Sequence, residues 1–245
     1  MCTVLVLRDL GLLTKNRDKE IPEVEDIVRT ADLVAIRSRG LTYFSAAVNR
    51  HGVAFVSTAV NSPEWTRAVE DGKSDLSRAV MAEERRGLIS PTGFLSGSFA
   101  DLASAEAAAS VLAHAAEPTW MGYNLILMDK DQAFVIETHK TATHRRSLAV
   151  RDAVTNHFVA LDHGAKCHAD YPSSFDRLDY AREQLPLIND LDMVQAALRP
   201  QDARRERIWR TGAFSTISSA IIDLRTRTIH HADGVDAPYR AYSLA

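Results

Sequence analysis

The sequence predicts an α+β fold in which layered antiparallel sheets carry helices on their outer faces. Apolar runs of strand length cluster near the start, middle and end of the chain, and helical periodicity falls between those clusters. Strict strand–helix alternation, the mark of a doubly wound parallel sheet, is missing. At 245 residues with 46% hydrophobic content the chain can bury a sizeable core, and residues 1–245 are expected to form one domain.

Taken in order, Val4 to Leu7, Leu33 to Ile36, Tyr43 to Val48 and Val53 to Val56 read as strands punctuated by charged or glycine-containing turns. Residues 61–100 break this pattern with Pro63, Gly72, Gly87, Pro91, Gly93 and Gly97 around one helix expected from Asp75 to Arg86, and suggest a pocket wall or lid. Leu102 to His114 is an alanine-rich helical stretch with Asp101 as its acidic cap and Pro118 as its stop. Further strand runs follow at Asn124 to Met128, Ala133 to Glu137, His144 to Val150 and His157 to Leu161, with Asp129–Gln132 as a hairpin turn. Helical periodicity returns at Ser174 to Gln184 and Leu191 to Leu198, before strands at Thr216 to Leu224 and Arg227 to His231.

Composition narrows the function classes. Twenty-nine basic against thirty-two acidic residues, a net charge of -3, lack the basic excess of a nucleic-acid binder. No apolar run reaches the length of a membrane span, and Ala103 to Ala116 is interrupted by Ser104, Glu106, Ser110 and His114. The opening residues lack the basic flank and cleavage pattern of a secretory signal, so a cytoplasmic location and two reduced cysteines, Cys2 and Cys167, are expected. A homo-oligomer is compatible with this sequence, and nothing in it sets the number of copies.

Cys2 carries the chemistry. Methionine aminopeptidase accepts a small second residue, so loss of Met1 would put a thiol and a free α-amine on one residue. An ordinary thiol ionises near pH 8.5 and an α-amine near pH 7.7 to 8.0, so the amine can take the thiol proton without a separate histidine. The turn around Asp9 to Gly11 folds the following run back as a hairpin, which returns Arg17 and Asp18 towards Cys2. There the guanidinium would favour the thiolate and the carboxylate would orient the α-ammonium. Because Lys15 to Glu20 is charged at almost every position, a solvated surface turn is the competing reading.

Met1-Cys2-Thr3, Asn16-Arg17-Asp18, Val48-Asn49-Arg50-His51-Gly52-Val53, Thr155-Asn156-His157-Phe158 and Ser173-Ser174-Phe175-Asp176-Arg177 occur in that order over most of the chain. Together they resemble the choloylglycine hydrolase, penicillin V acylase and C45 acyltransferase group of N-terminal-nucleophile hydrolases. The resemblance implies a four-layer αββα sandwich of two antiparallel sheets. It also implies a small-molecule amide substrate, a thioester on Cys2, and no cofactor or metal. On it, Asn156 would donate to the oxyanion, Asn49 would help polarise the same carbonyl, and Arg177 would support ionisation of the nucleophile. Other roles stay open for these residue types: a turn for Asn49 and for Asn156, and a surface ion pair with Asp176 or Asp179 for Arg177. The compressed Asn16-Arg17-Asp18 is closer to the Asn-Arg-Asp-Glu proteins related to transport and Golgi organisation factors. Two further readings therefore stand beside the hydrolase: an acyltransferase using the same thioester, and a non-catalytic binder of lipid or metabolite.

Other constellations are weaker. His157, His163, Cys167 and His168 match no standard zinc spacing, and the serine of Gly93-Phe94-Leu95-Ser96-Gly97 sits one place too late for a nucleophile elbow. Among Trp65, Trp120 and Trp209, Trp65 is the substrate-pocket candidate because it follows Asn61-Ser62-Pro63 in irregular chain.

Overall fold

The computed structural model describes residues 2–20, 23–41, 44–63, 66–67, 71, 97–113, 119–199 and 208–245. Along the chain these form β1 (Cys2–Leu7), β2 (Leu12–Lys19), β3 (Glu25–Arg29), β4 (Leu33–Ser38), β5 (Ala46–Asn49) and β6 (Ala54–Val60). Then come α1 (Ala105–Ala113), β7 (Thr119–Met128), β8 (Ala133–Lys140), β9 (Ala142–Ser147), β10 (Arg151–Val154), α2 (Pro172–Gln184) and α3 (Leu191–Ala197). The strands β11 (Ser215–Asp223), β12 (Thr228–Ala232) and β13 (Arg240–Tyr242) complete the fold. Trp65 and the helix expected at residues 75–86 lie outside the described residues, as does most of 61–100.

Two antiparallel sheets face each other, one of six strands in the order β10-β1-β2-β11-β12-β13 and one of seven in the order β3-β4-β5-β6-β7-β8-β9. Period-two alternation distributes side chains between the layers. Val4, Val6, Leu13, Ala220, Ile222 and Ile229 of the first sheet meet Ile36, Val48, Val56, Ile126 and Val135 of the second in a central apolar layer. On the other face of the six-stranded sheet, Leu5, Leu7, Leu12 and Ile221 pack against Leu178, Ala181 and Val194 of α2 and α3. On the outer face of the seven-stranded sheet, Phe55, Leu125 and Ile136 pack against Ala105, Ala108 and Leu112 of α1. Helix, sheet, sheet, helix is the αββα order expected from the sequence.

Turn chemistry accounts for the hairpins. Gly11 adopts a φ of 66° and donates to the Arg8 carbonyl, which closes the β1–β2 turn in a backbone region that side chains disfavour. Asp129 closes the β7–β8 turn as expected: its main-chain nitrogen donates to Gln132, and its Oδ1 accepts from the nitrogens of Asp131 and Gln132.

Two expectations are corrected. Asp101 does not cap α1; Ser104 does, its Oγ accepting from the nitrogen of Ala107, while Asp101 pairs with Arg50. The apolar run His157 to Leu161 is no strand; the strand in this region is β10, which pairs with β1. Three successive nitrogens, of Val159, Ala160 and Leu161, donate to the Glu137 carboxylate at 2.7, 2.9 and 2.9 Å, which bends the run into a loop. A buried carboxylate that takes these donors removes them from any sheet ladder.

Candidate active site

Cys2 opens β1, where it is 5% exposed and pairs across the hairpin with Arg17. Its side chain shares the face of Val4 and Val6 and so turns into the layer between the sheets. The Cys2 main-chain nitrogen donates to Asn156 Oδ1 at 2.9 Å. Arg177 Nη2 donates to the same oxygen at 2.8 Å, and Arg177 Nη1 donates to the Cys2 carbonyl and to Thr3 Oγ1, both at 2.8 Å. One asparagine and one arginine thereby hold the first residue of the strand from both sides of its backbone.

The Asn156 amide is itself held firmly. Its main-chain nitrogen donates to Ser174 Oγ, and Asn124 Nδ2 donates to the carbonyls on either side of it, those of Thr155 and His157. Two cationic or amide donors converge on Oδ1, which fixes the orientation of the side-chain amide and leaves Nδ2 pointing the other way, donating to the Ala59 carbonyl at 2.6 Å. Among the described residues Nδ2 has no acceptor besides the Ala59 carbonyl.

Arg177 is 1% exposed on α2, with Asp18 Oδ2 3.7 Å from its guanidinium. The surface ion pair considered for it does not exist; Asp176 pairs with His168 instead. Asp18 lies on the helix-side face of β2, opposite to Arg17, and accepts from Thr216 Oγ1. Its carboxylate therefore faces Arg177, which itself grips the Cys2 backbone, and not the side taken by Arg17, because consecutive strand residues point to opposite faces.

Arg17 faces the inter-sheet layer with Cys2, but its charge is met by Glu23 and Glu25 and its Nη2 also donates to Ser38. Glu25 in turn binds His231, and Glu23 binds Lys19. Burial works against the Glu25 carboxylate, yet Arg17 and His231 hold it well below the usual carboxylate range.

Asn49 is not brought to this cluster. Its Nδ2 donates to the carbonyls of Phe99 and Leu102, and its Oδ1 accepts from the nitrogens of His51 and Val53. It pairs with Leu33 at one end of β4, whereas Ser38, at the other end, is the residue that touches Arg17. Asn49 is a turn residue at the far end of the sandwich, a correction to its expected role at the carbonyl.

The histidine group is dispersed. His157 stacks on Phe175 at 4.1 Å, His163 stacks on His139 at 3.6 Å, and Cys167 is exposed. Burial, then Arg177 and Arg182, push His157 down to about 4. Because its folded value lies below the unfolded one, the unfolded chain takes up a proton that the folded chain refuses. Stability should therefore fall as pH drops from about 6.5 to about 4, by on the order of 3 kcal/mol. In His157→Asn this part of the acid sensitivity should vanish, which urea midpoints measured on either side of that window would reveal.

Sequence reasoning missed Lys15, Glu23, Glu25, Ser38, Asn124, Ser174 and His231. The available signal was polar residues inside strand-like runs, notably Lys15 in β2 and Asn124 in β7. Among the described residues no helix is long and apolar enough to cross a membrane.

By sequence, no family model and no curated protein matches the chain. By structure, it is similar to a Caenorhabditis elegans ortholog of N-acylethanolamine-hydrolyzing acid amidase, at a TM-score of 0.56 and 12% identity over 91% of this chain and 93% of that one. It is similar also to a variant of the conjugated bile acid hydrolase from Clostridium perfringens, at 0.59 and 12% over 99% and 92%. Penicillin V acylase from Agrobacterium tumefaciens matches at 0.56 and 11% over 99% and 86%. At such identities it is the architecture that is shared, and the chain has the N-terminal-nucleophile hydrolase sandwich fold of these structures.

Proposed function

We propose that this chain is a cysteine N-terminal-nucleophile amidohydrolase that cleaves a non-peptide C–N amide bond of a small N-acylated molecule. The observation that carries the reading is the buried Cys2–Asn156–Arg177 cluster, in which Asn156 Oδ1 accepts from the Cys2 nitrogen while Arg177 grips the Cys2 carbonyl. Its position at the start of a central strand in this fold supports the same reading.

Removal of Met1 turns the Cys2 nitrogen into an amine that accepts the thiol proton, with Asn156 Oδ1 and Arg177 fixing where that nitrogen sits. Sγ attacks the amide carbon, and the spare N–H of Asn156 Nδ2 stabilises the oxyanion. The α-ammonium returns the proton to the leaving amine as the C–N bond breaks and a thioester remains on Sγ. Water, activated by the same amine, then releases the acid. Arg177 and Asp18 hold this geometry and take no proton.

The test joins intact mass and turnover. Untagged protein should lack Met1, and a panel of N-acylated amines, N-acylated amino acids, lactones and β-lactams should yield at least one amide substrate with release of its acid. Full retention of Met1 in turning-over protein would overturn the α-amine mechanism. Failure of the whole panel, with no acyl adduct on Cys2 by mass, would favour a binding protein.

A further inference from the structure

Lys15 lies on the inter-sheet face of β2, two residues before Arg17, and is 4% exposed. The register that pairs Cys2 with Arg17 and Thr3 with Asn16 sets Lys15 one diagonal step from Cys2 on the same face, within reach of a long side chain. Its Nζ donates to the Ser45 carbonyl at 3.1 Å, the one hydrogen-bond acceptor it has among the described residues. An ammonium carries three donors, so two are taken up by none of the described residues in this buried layer.

The surrounding charges explain what those donors face. Arg17 is matched by Glu23 and Glu25, Lys19 by Glu23, and His231 from β12 lies against Glu25. The strand on the far side of β2, β11, offers only Ala220 opposite Lys15, and β4 contributes Ser38 to Arg17. Three cations of β2 thus meet two carboxylates, and Lys15 is the one in direct ion-pair contact with neither among the described residues, Glu25 acting on it only from a distance. Cys2 supplies the largest interaction that favours its charge.

We propose that Lys15 is the cation that holds the Cys2 sulfur as a thiolate, a positioning residue for the nucleophile. This rests on the reading of Cys2 given above, and adds a residue to it. When the thiol ionises, its proton goes to the α-amine of Cys2, the electron pair stays on Sγ, and Lys15 keeps its own proton. Burial pushes Lys15 down to about 8, so it still carries its charge near pH 7. The folded value lies below the unfolded 10.5, so the stability penalty of this charge is fully present below about 8 and is relieved as pH rises towards 10.5. A lysine kept at such a position lowers stability and serves the site.

The test uses Cys167→Ala protein, which removes the exposed thiol, and reads the pH profile of iodoacetamide alkylation at Cys2 by mass. Lys15→Met should move the midpoint of that profile up by about one pH unit or more and slow alkylation near pH 7 by about tenfold. Its Tm should rise. Lys15→Gln, which keeps a donor without the charge, should shift the profile in the same way, and Lys15→Arg should stay near the parent profile. A Lys15→Gln profile that coincides with the parent would overturn the proposal, whether or not Lys15→Met folds, and so would a drop in Tm with no change in alkylation. Shifted alkylation in a protein that turns over no amide would keep Lys15 in this role and remove the hydrolase instead.

Discussion

Cys2→Ala is expected to abolish amide turnover, by about 10⁴-fold or more, with native circular dichroism retained. The fold should survive because the side chain contributes only a small apolar group to the layer, and the main-chain contacts to Asn156 Oδ1 and Arg177 persist in alanine. Cys2→Ser keeps the amine and the geometry and should still lose most activity, because a hydroxyl ionises far less readily than a thiol. An uncleavable extension before Cys2 leaves the thiol in place and converts the amine to an amide that cannot accept a proton, so it too should be inactive. Cys167→Ala should turn over normally, since that thiol is exposed in a loop whose nitrogens at 166 and 167 bind Asp170. Amide hydrolysis measured across these five proteins, including the parent, decides the matter. Full activity of the extended form would refute the N-terminal-nucleophile assignment, and loss of activity with Cys167 alone would move the chemistry to the other thiol.

Arg177→Met should cost about 3–5 kcal/mol of stability and remove most turnover, the largest effect expected from any residue outside Cys2. The guanidinium is 1% exposed and donates to Ser173, Cys2, Thr3 and Asn156. A thioether of similar volume would fill the space while taking the Arg177 guanidinium away from the buried Asp18 carboxylate and leaving Asn156 Oδ1 short of a donor. Arg177→Lys keeps the charge but lacks the planar fork that reaches the Cys2 carbonyl and Asn156 at once, so it should recover stability more than activity. Adding Asp18→Asn to Arg177→Met removes the buried charge that faced the guanidinium and should restore part of the stability with no return of turnover. Urea denaturation and amide hydrolysis on the three variants and the parent separate these effects. A wild-type urea midpoint for Arg177→Met would show that the arginine does not hold the cluster together.

Local chemistry made much of this legible in the sequence. Alternation in the opening run, with a glycine turn at Gly11, was enough to place Arg17 across from Cys2, because a hairpin register depends on neighbouring residues alone. The order of strand and helix blocks gave the layers, and Asp129 marked its turn. What the sequence left open depends on which distant surfaces meet. Asn49 and Asn156 both sit beside strand-like runs, and nothing local says which reaches Cys2; the pairing of β4 with β5 carries Asn49 to the far end, and the fold of the Glu137-bound loop brings Asn156 in. The helix pattern alone leaves Arg177 open between a place beside the nucleophile and a surface ion pair, and the packing of α2 on the six-stranded sheet over Cys2 and Thr3 decides it. The charge of Lys15 to Glu20 leaves a solvated surface turn as the competing reading, and only the stacking of the second sheet against β2 buries Lys15 and Arg17. Strand polarity and turn type are short-range properties, so the sequence determined them; burial of a charge is set by what packs on it, so tertiary structure alone decided that.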